Sequence, residues 1–174
     1  WQGRLQGGGV LLDLGTHMLD RALYILGFPN VSRVMCNTHR ELGKIQEATE
    51  GYDYSAEDFA TALIQFANGS SLQLEVSFGS YVEENLVYLD IYGSKAGASY
   101  RVTDTSETVK VIQPLLDAIS VSEIKGLPQP KIATPVDDFI DALAENRTPL
   151  ITVEQSLKLM ELLSQLKESA QSRA

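Results

Sequence analysis

Asn68-Gly69 stands between two apolar-rich runs, and that placement constrains the chain more than any other feature. Both residue types tolerate positive φ, which a two-residue type I′ turn requires, so Asp58 to Phe66 is expected to pair antiparallel with Ser71 to Phe78. A two-residue turn sets Phe66 against Ser71, Leu63 against Leu74, Thr61 against Val76 and Phe59 against Phe78. The face with Phe59, Thr61, Leu63, Gln65, Leu72, Leu74, Val76 and Phe78 is then the core side. The other face combines Ala60, Ala62, Ile64 and Phe66 with Ser71, Gln73, Glu75 and Ser77, a mixture suited to a wet interface or an open sheet face.

The flanking segments complete an α+β pattern. Leu11 to Leu26 is apolar with a polar stripe and is closed by Gly27 and Pro29, the signature of a helix and its stop. Alternation from Val31 predicts a strand. Glu41 to Ser55 is polar, with Gly43, Gly51, Glu47, Glu50 and Asp53, and reads as a loop or irregular excursion suited to a lid or partner contact. Leu86 to Tyr92 alternates, Gly93 to Gly97 turns the chain into Ala98 to Val102, and a further strand is expected near Thr108 to Ile112. Thr134-Pro135 places a hydroxyl cap before a proline, predicting a helix from Pro135 to about Glu145. Thr152 and Gln155 form a capping box ahead of Leu157, Leu159, Met160, Leu162, Leu163 and Leu166. Helix, strands and helices are segregated without βαβ alternation, which points to a mainly antiparallel sheet covered by helices on one face.

Composition narrows the function classes. With 174 residues, one core is the default. A formal net charge of −9, from 14 basic and 23 acidic residues, argues against a nucleic-acid partner. No apolar run approaches the ~20 residues that cross a bilayer, so no membrane role and a cytoplasmic location are expected. Cys36 is the only cysteine and reads as a small buried hydrophobe; with His17 and His39 as the only histidines, no metal site is expected. His39 reads as a structural or surface residue. The chain opens at Trp1 and enters a glycine run almost at once, and it is read as a fragment of a longer protein.

Two features could carry chemistry. Gly7-Gly8-Gly9 precedes the first helix and could offer backbone N–H groups to an anion, although the spacing is not G-x-G-x-x-G and no P-loop lysine follows; the alternative is a bend that lets the backbone approach a neighbour. Asp13, His17 and Asp20 lie four and three residues apart on one stripe of an otherwise apolar helix. Either the stripe lines a cleft, with His17 as acid or base and an aspartate orienting it, or it is a solvated polar face.

The segment from Gly7 through Val10-Leu11-Leu12-Asp13-Leu14-Gly15-Thr16-His17-Met18-Leu19-Asp20 resembles the start of the C-terminal domain in the glucose-fructose oxidoreductase and inositol dehydrogenase (Gfo/Idh/MocA) family. The glycine pair, the Asp, the His four residues on and the following Asp all match. The likeness continues at Glu57-Asp58-Phe59, Phe66-Ala67-Asn68-Gly69, Ile91-Tyr92-Gly93-Ser94-Lys95-Ala96-Gly97 and Pro149, covering essentially the whole chain. The resemblance implies a twisted, mainly antiparallel sheet with helices on one face and the other face open for dimer contacts, in a homodimer or tetramer. It implies that residues 1–174 are a substrate-binding and dimerisation domain whose dinucleotide-binding partner domain is absent, along with the Glu-Lys-Pro segment that completes the family's site. It further implies that Asp13 and His17 bind a sugar, inositol or other polyol. His17 would move the proton while hydride passes to NAD or NADP, held mainly by the absent domain with no cofactor-binding residue assigned in this chain. Alone, the chain is expected neither to bind the coenzyme tightly nor to turn over. Two alternatives accompany this reading: an NAD-dependent glycosidase of the same fold, and a non-catalytic dimerisation or sugar-binding module.

Overall fold

The computed structural model describes residues 8–51, 54–125 and 134–172; Trp1, Gly7 and Asp53 lie outside them, as do the side chains of Glu47 and Glu50. A π-helical turn, Leu11–Gly15, runs directly into α1, Thr16–Leu26. There follow β1 (Val31–His39), α2 (Glu41–Glu50), β2 (Phe59–Phe66), β3 (Ser71–Ser77), β4 (Val87–Tyr92), β5 (Gly97–Val102), β6 (Glu107–Leu115), β7 (Ala118–Ile124), α3 (Pro135–Glu145) and α4 (Val153–Gln171). The strands form two antiparallel sheets, β1-β2-β3 and β4-β5-β6-β7, where one sheet was expected. The α+β class holds. The chain divides into two compact units, Trp1–Ser80 with Leu150–Ala174, and Tyr81–Pro149.

In the first unit, α1 ends as the sequence predicts. Gly27 takes φ +77°, its N–H reaches Tyr24 O at 3.3 Å, and Phe28 N–H reaches Leu23 O at 2.8 Å, satisfying carbonyls the helix leaves open. Leu19 and Leu23 of α1, Leu159, Leu162, Leu163 and Leu166 of α4, and Cys36, Ile64 and Phe66 of the sheet form one buried core. The helices thus cover one face of β1-β2-β3, and the other, with Arg33, Met35, Leu63, Gln65, Gln73 and Glu75, is exposed. The α4 capping box forms as expected: Thr152 N–H donates to Gln155 Oε1 at 2.8 Å and Gln155 N–H to Thr152 Oγ1 at 3.2 Å.

The hairpin forms, but its register differs from the expected one. Phe66 N–H donates to Ser70 O at 2.9 Å and Gly69 N–H to Phe66 O at 3.0 Å, so the loop is Ala67-Asn68-Gly69. Within it only Gly69 takes positive φ, +86°, while Asn68 Oδ1 accepts the Ser70 N–H at 3.0 Å. This is a type I turn followed by a left-handed glycine, not a type I′ turn. The extra loop residue shifts the pairing by one, setting Ala62 against Leu74 and Leu63 against Gln73. A one-residue slip turns β2 over relative to β3. Ala60, Ala62, Ile64 and Phe66 therefore enter the core with Leu74 and Val76, while Leu63 and Gln65 face outward with Gln73 and Glu75. The expected mixed face of Ile64 and Phe66 with Gln73 and Glu75 does not exist.

The excursion expected at Glu41 to Ser55 contains a helix, α2. Gly43, read as a loop signal, is a point of close approach: the Tyr54 ring lies 2.1 Å from where its Cβ would be. Its N–H donates to Oδ2 of buried Asp58 at 2.8 Å, a cap supplied 15 residues away instead of by a local Ser, Thr or Asn. Gly51, with φ +72°, follows the helix as a terminator rather than marking a loop interior.

Cys36 is buried, and burial pushes its thiol up to about 11. The folded chain is therefore expected to resist thiol reagents at pH 8 and to label fully in concentrated urea, as mass spectrometry would read; rapid labelling without denaturant would contradict the packing.

In the second unit, β4 to β7 pair in sequence order. Strand β7 was not expected. It follows a two-residue connection, Leu116-Asp117, in which Leu116 takes φ +54° with no Gly or Asn to announce the turn. The α3 start matches expectation: Thr134 Oγ1 accepts the Asp137 N–H at 3.2 Å. The helix ends at Asn146, φ +51°, and Arg147 then pairs with buried Asp138 at 2.9 Å.

Arg101 pairs with Asp90 across β4 and β5 and lies over the Tyr88 ring, 4.9 Å from its centroid. Its hydrogen bond holds the Asp90 carboxyl below the usual carboxylate range. The folded value lies below the unfolded one, so this contribution to stability is present above about pH 4 and is lost as pH falls through the folded value. The difference in Tm between the native chain and Asp90→Asn should be largest near neutrality and shrink in acid; a constant difference from pH 7 to pH 2 would contradict the pairing.

Candidate functional site

The helix with the Asp13–His17–Asp20 stripe is positioned at its start by Glu57, 46 residues beyond Leu11. Val10 N–H donates to Glu57 O at 3.0 Å, and Leu11 N–H to Glu57 Oε1 at 3.3 Å. The N–H groups of Leu12 and Asp13 both reach Gly9 O at 3.1 Å. Of the N–H groups that a helix start leaves open, those of Val10, Leu11 and Leu12 are thus taken by the protein itself. A Cβ on Gly9 would lie 2.2 Å from Glu57 O, so Gly9 serves the close approach of two backbone segments. The anion at this helix start is the Glu57 carboxylate, whose Oε1 accepts the Leu11 N–H.

The next residue does the same for another helix. Asp58 is buried, with its carboxylate on Gly43 of α2. Its N–H donates to His39 O at 2.9 Å, and its carbonyl accepts from Phe78 N–H at 3.0 Å. Glu57-Asp58 therefore ties two helix starts to the root of β2.

Asp13 sits in the π-helical turn, half-buried, and His17 is exposed on the first turn of α1. Four residues make about one turn, so the two groups leave the helix on one stripe, at an angle that depends on how wide the turn between them is. Asp20, half-buried, continues that stripe. Among the described residues, no hydrogen bond or ion pair engages the Asp13 or His17 side chain. His17 is flanked on the outer side of the helix by the exposed apolar residues Leu14, Tyr24 and Ile25.

Two hollows in the first unit are lined by other residues than Asp13 and His17. The larger, of about 840 Å³, is bordered by Gly8, Thr38, His39, Arg40, Glu57 and Lys167, at the beginning of the helix rather than along its stripe. The smaller, of about 200 Å³, lies between Leu23, Phe28, Lys158 and Leu162. His39 lies with its ring 5.9 Å from that of Phe59. Among the described residues, no three His, Cys, Asp or Glu side chains gather as a metal site, and no helix is long and apolar enough to cross a membrane.

Sequence reasoning found the stripe but missed Glu57 and Thr16. The Thr16 hydroxyl donates to Leu12 O inside the widened turn. Only the Glu57-Asp58 pair ahead of a strand hinted at the first, and nothing local marked the second.

Residues 1–174 match the model of a family described as oxidoreductase family, C-terminal alpha/beta domain. A D-glucoside 3-dehydrogenase of Escherichia coli (strain K12) is 40% identical over 101 residues, covering 55% of this chain and 29% of that protein. Among solved structures, a levoglucosan dehydrogenase in complex with NADH and L-sorbose superposes with TM-score 0.77 at 18% identity, over 97% of this chain and 49% of the other. A UDP-N-acetylglucosamine 3-dehydrogenase of Acidithiobacillus ferrooxidans does so with TM-score 0.72 at 19% identity, over 94% and 48%. The chain thus spans 29% of the matched curated relative and about half of each solved one.

Proposed function

The chain belongs to the oxidoreductase family, as its C-terminal alpha/beta domain, and from that membership we propose that it forms the substrate side of an NAD(P)-dependent sugar dehydrogenase. The observation that carries the proposal is the exposed His17, one turn from Asp13, on a helix face with Leu14, Tyr24 and Ile25 exposed beside it. Exposed apolar side chains around a polar stripe suit a surface that another part of a longer protein closes over.

In this mechanism His17 accepts the proton of a secondary ring hydroxyl, and Asp13 holds a neighbouring hydroxyl or orients the imidazole. NAD(P), held mainly by another part of the protein, would supply the hydride acceptor for the carbon that bears that hydroxyl. Val10 and Leu11 offer it no free donors, and in this reading the present chain supplies substrate binding, orientation and proton movement. The likeness to a D-glucoside 3-dehydrogenase favours a hexose or hexoside substrate. The exposed outer face of β1-β2-β3, with Met35 and Leu63, suits a contact between copies in a homodimer or tetramer.

The test is coenzyme reduction by the protein that carries this domain, against a panel of glucosides, free aldoses and inositols. Absorbance should rise at the reduced-nicotinamide band with at least one of them, and the 174-residue chain alone should give none. Release of monosaccharide from a glycoside without net coenzyme reduction would instead identify a glycosidase.

A further inference from the structure

The stripe does not begin in an α-helix. Residues Leu11–Gly15 form a π-helical turn: the N–H groups of Leu12 and Asp13 still reach Gly9 O, and beyond them the ladder spans one residue more than in an α-helix. Such turns are rare, occur mostly singly inside α-helices and are frequent at functional sites. Relaxation to an α turn would rotate its residues about the helix axis by up to one residue's step, ~100°, and so swing Asp13 relative to His17.

Two contacts act on the turn, one at each end. At the amino end, Glu57 accepts Val10 N–H through its carbonyl and Leu11 N–H through its carboxylate. At the carboxyl end, widening removes the α-type partner from a carbonyl, and the Thr16 hydroxyl donates to Leu12 O. The glycines fit the same arrangement. Gly9 leaves room for Glu57, and a Cβ on buried Gly15 would lie 3.2 Å from Leu11 Cδ1, inside the turn.

We infer that Glu57 and Thr16 are positioning residues that clamp the two ends of the π-helical turn and so hold Asp13 and His17 in one fixed relation. The catalytic part of this inference rests on the assignment of Asp13 and His17 to the substrate site; the structural part does not. Neither residue touches substrate in this scheme, and each acts through the helix backbone.

Four variants test it: Thr16→Val, which keeps the shape and removes the hydroxyl; Thr16→Ser, which restores it; Glu57→Ala; and Glu57→Gln, which keeps an acceptor oxygen. Amide hydrogen exchange on the 174-residue chain should accelerate at least about tenfold at residues 11–17 in Thr16→Val and Glu57→Ala, with β2 unaffected. The Ser and Gln variants should recover most of the protection. In the protein that carries this domain, the same pair should lose about tenfold or more in kcat with a smaller change in KM, again recovered by Ser and Gln. Unchanged exchange in both Thr16→Val and Glu57→Ala would overturn the clamp, and loosened exchange with unaltered kcat would overturn its role in catalysis. Failure of the underlying site assignment has a different signature: His17→Ala retains full activity although Thr16→Val still loosens the turn.

Discussion

If the proposed function holds, replacing His17 with alanine in the protein that carries this domain is expected to lower kcat by about 10²–10⁴-fold, the usual contribution of a positioned acid or base. An alcohol gives up hydride only as its hydroxyl proton departs, and imidazole is the side chain suited to taking that proton near neutral pH. His17 is exposed on α1, with no described partner competing for its ring. Asp13→Asn should cost less, on the order of tenfold to a hundredfold, because the amide keeps an acceptor while losing the charge-assisted part of each hydrogen bond. Part of that loss should appear in KM if Asp13 holds a substrate hydroxyl. Circular dichroism and Tm should stay near native in both, since neither side chain lies in the core. Activity retained by His17→Ala would remove the imidazole from the mechanism and favour a binding or dimerisation module.

The largest effect on stability is expected at Ile64. It is fully buried between the sheet and the helices, whereas Leu63 beside it is 44% exposed. Ile64→Ala removes core volume that the surroundings refill only in part and should cost about 2–5 kcal/mol. Leu63→Ala should cost under about 1 kcal/mol. Urea unfolding of the two variants tests the hairpin register directly, because a two-residue Asn68-Gly69 turn would reverse the order. A larger loss at Leu63 than at Ile64 would contradict the pairing of Ala62 with Leu74.

That register shows where local signals stop. Asn68-Gly69 marks the hairpin correctly, but the dipeptide fits both a type I′ turn and the end of a three-residue loop, and only the positive φ at Gly69 alone separates them. The caps at Thr134 and Thr152 were legible because donor and acceptor lie within four residues of each other. Helix α2 was not, because its cap comes from Asp58 and its glycine answers to Tyr54. Strand β7 was hidden by a turn that carries Leu116 at positive φ.

The candidate site divides along the same line. Asp13 and His17 share a stripe because of their spacing, which a sequence displays. The residues that hold their helix belong to other parts of the picture: Glu57 arrives from the root of β2, and Thr16 matters only once the turn is known to be π-helical. Tertiary contacts and an irregular turn carry no local pattern.

The most direct measurement is a structure of the protein that carries this domain, with oxidised coenzyme and a hexoside bound. A ring nitrogen of His17 is expected within about 2.6–3.2 Å of one secondary hydroxyl, directly or through a single water, with Asp13 on that hydroxyl, its neighbour or the imidazole. A sugar bound with every hydroxyl beyond reach of both side chains, or His17 turned away from the coenzyme, would contradict the account.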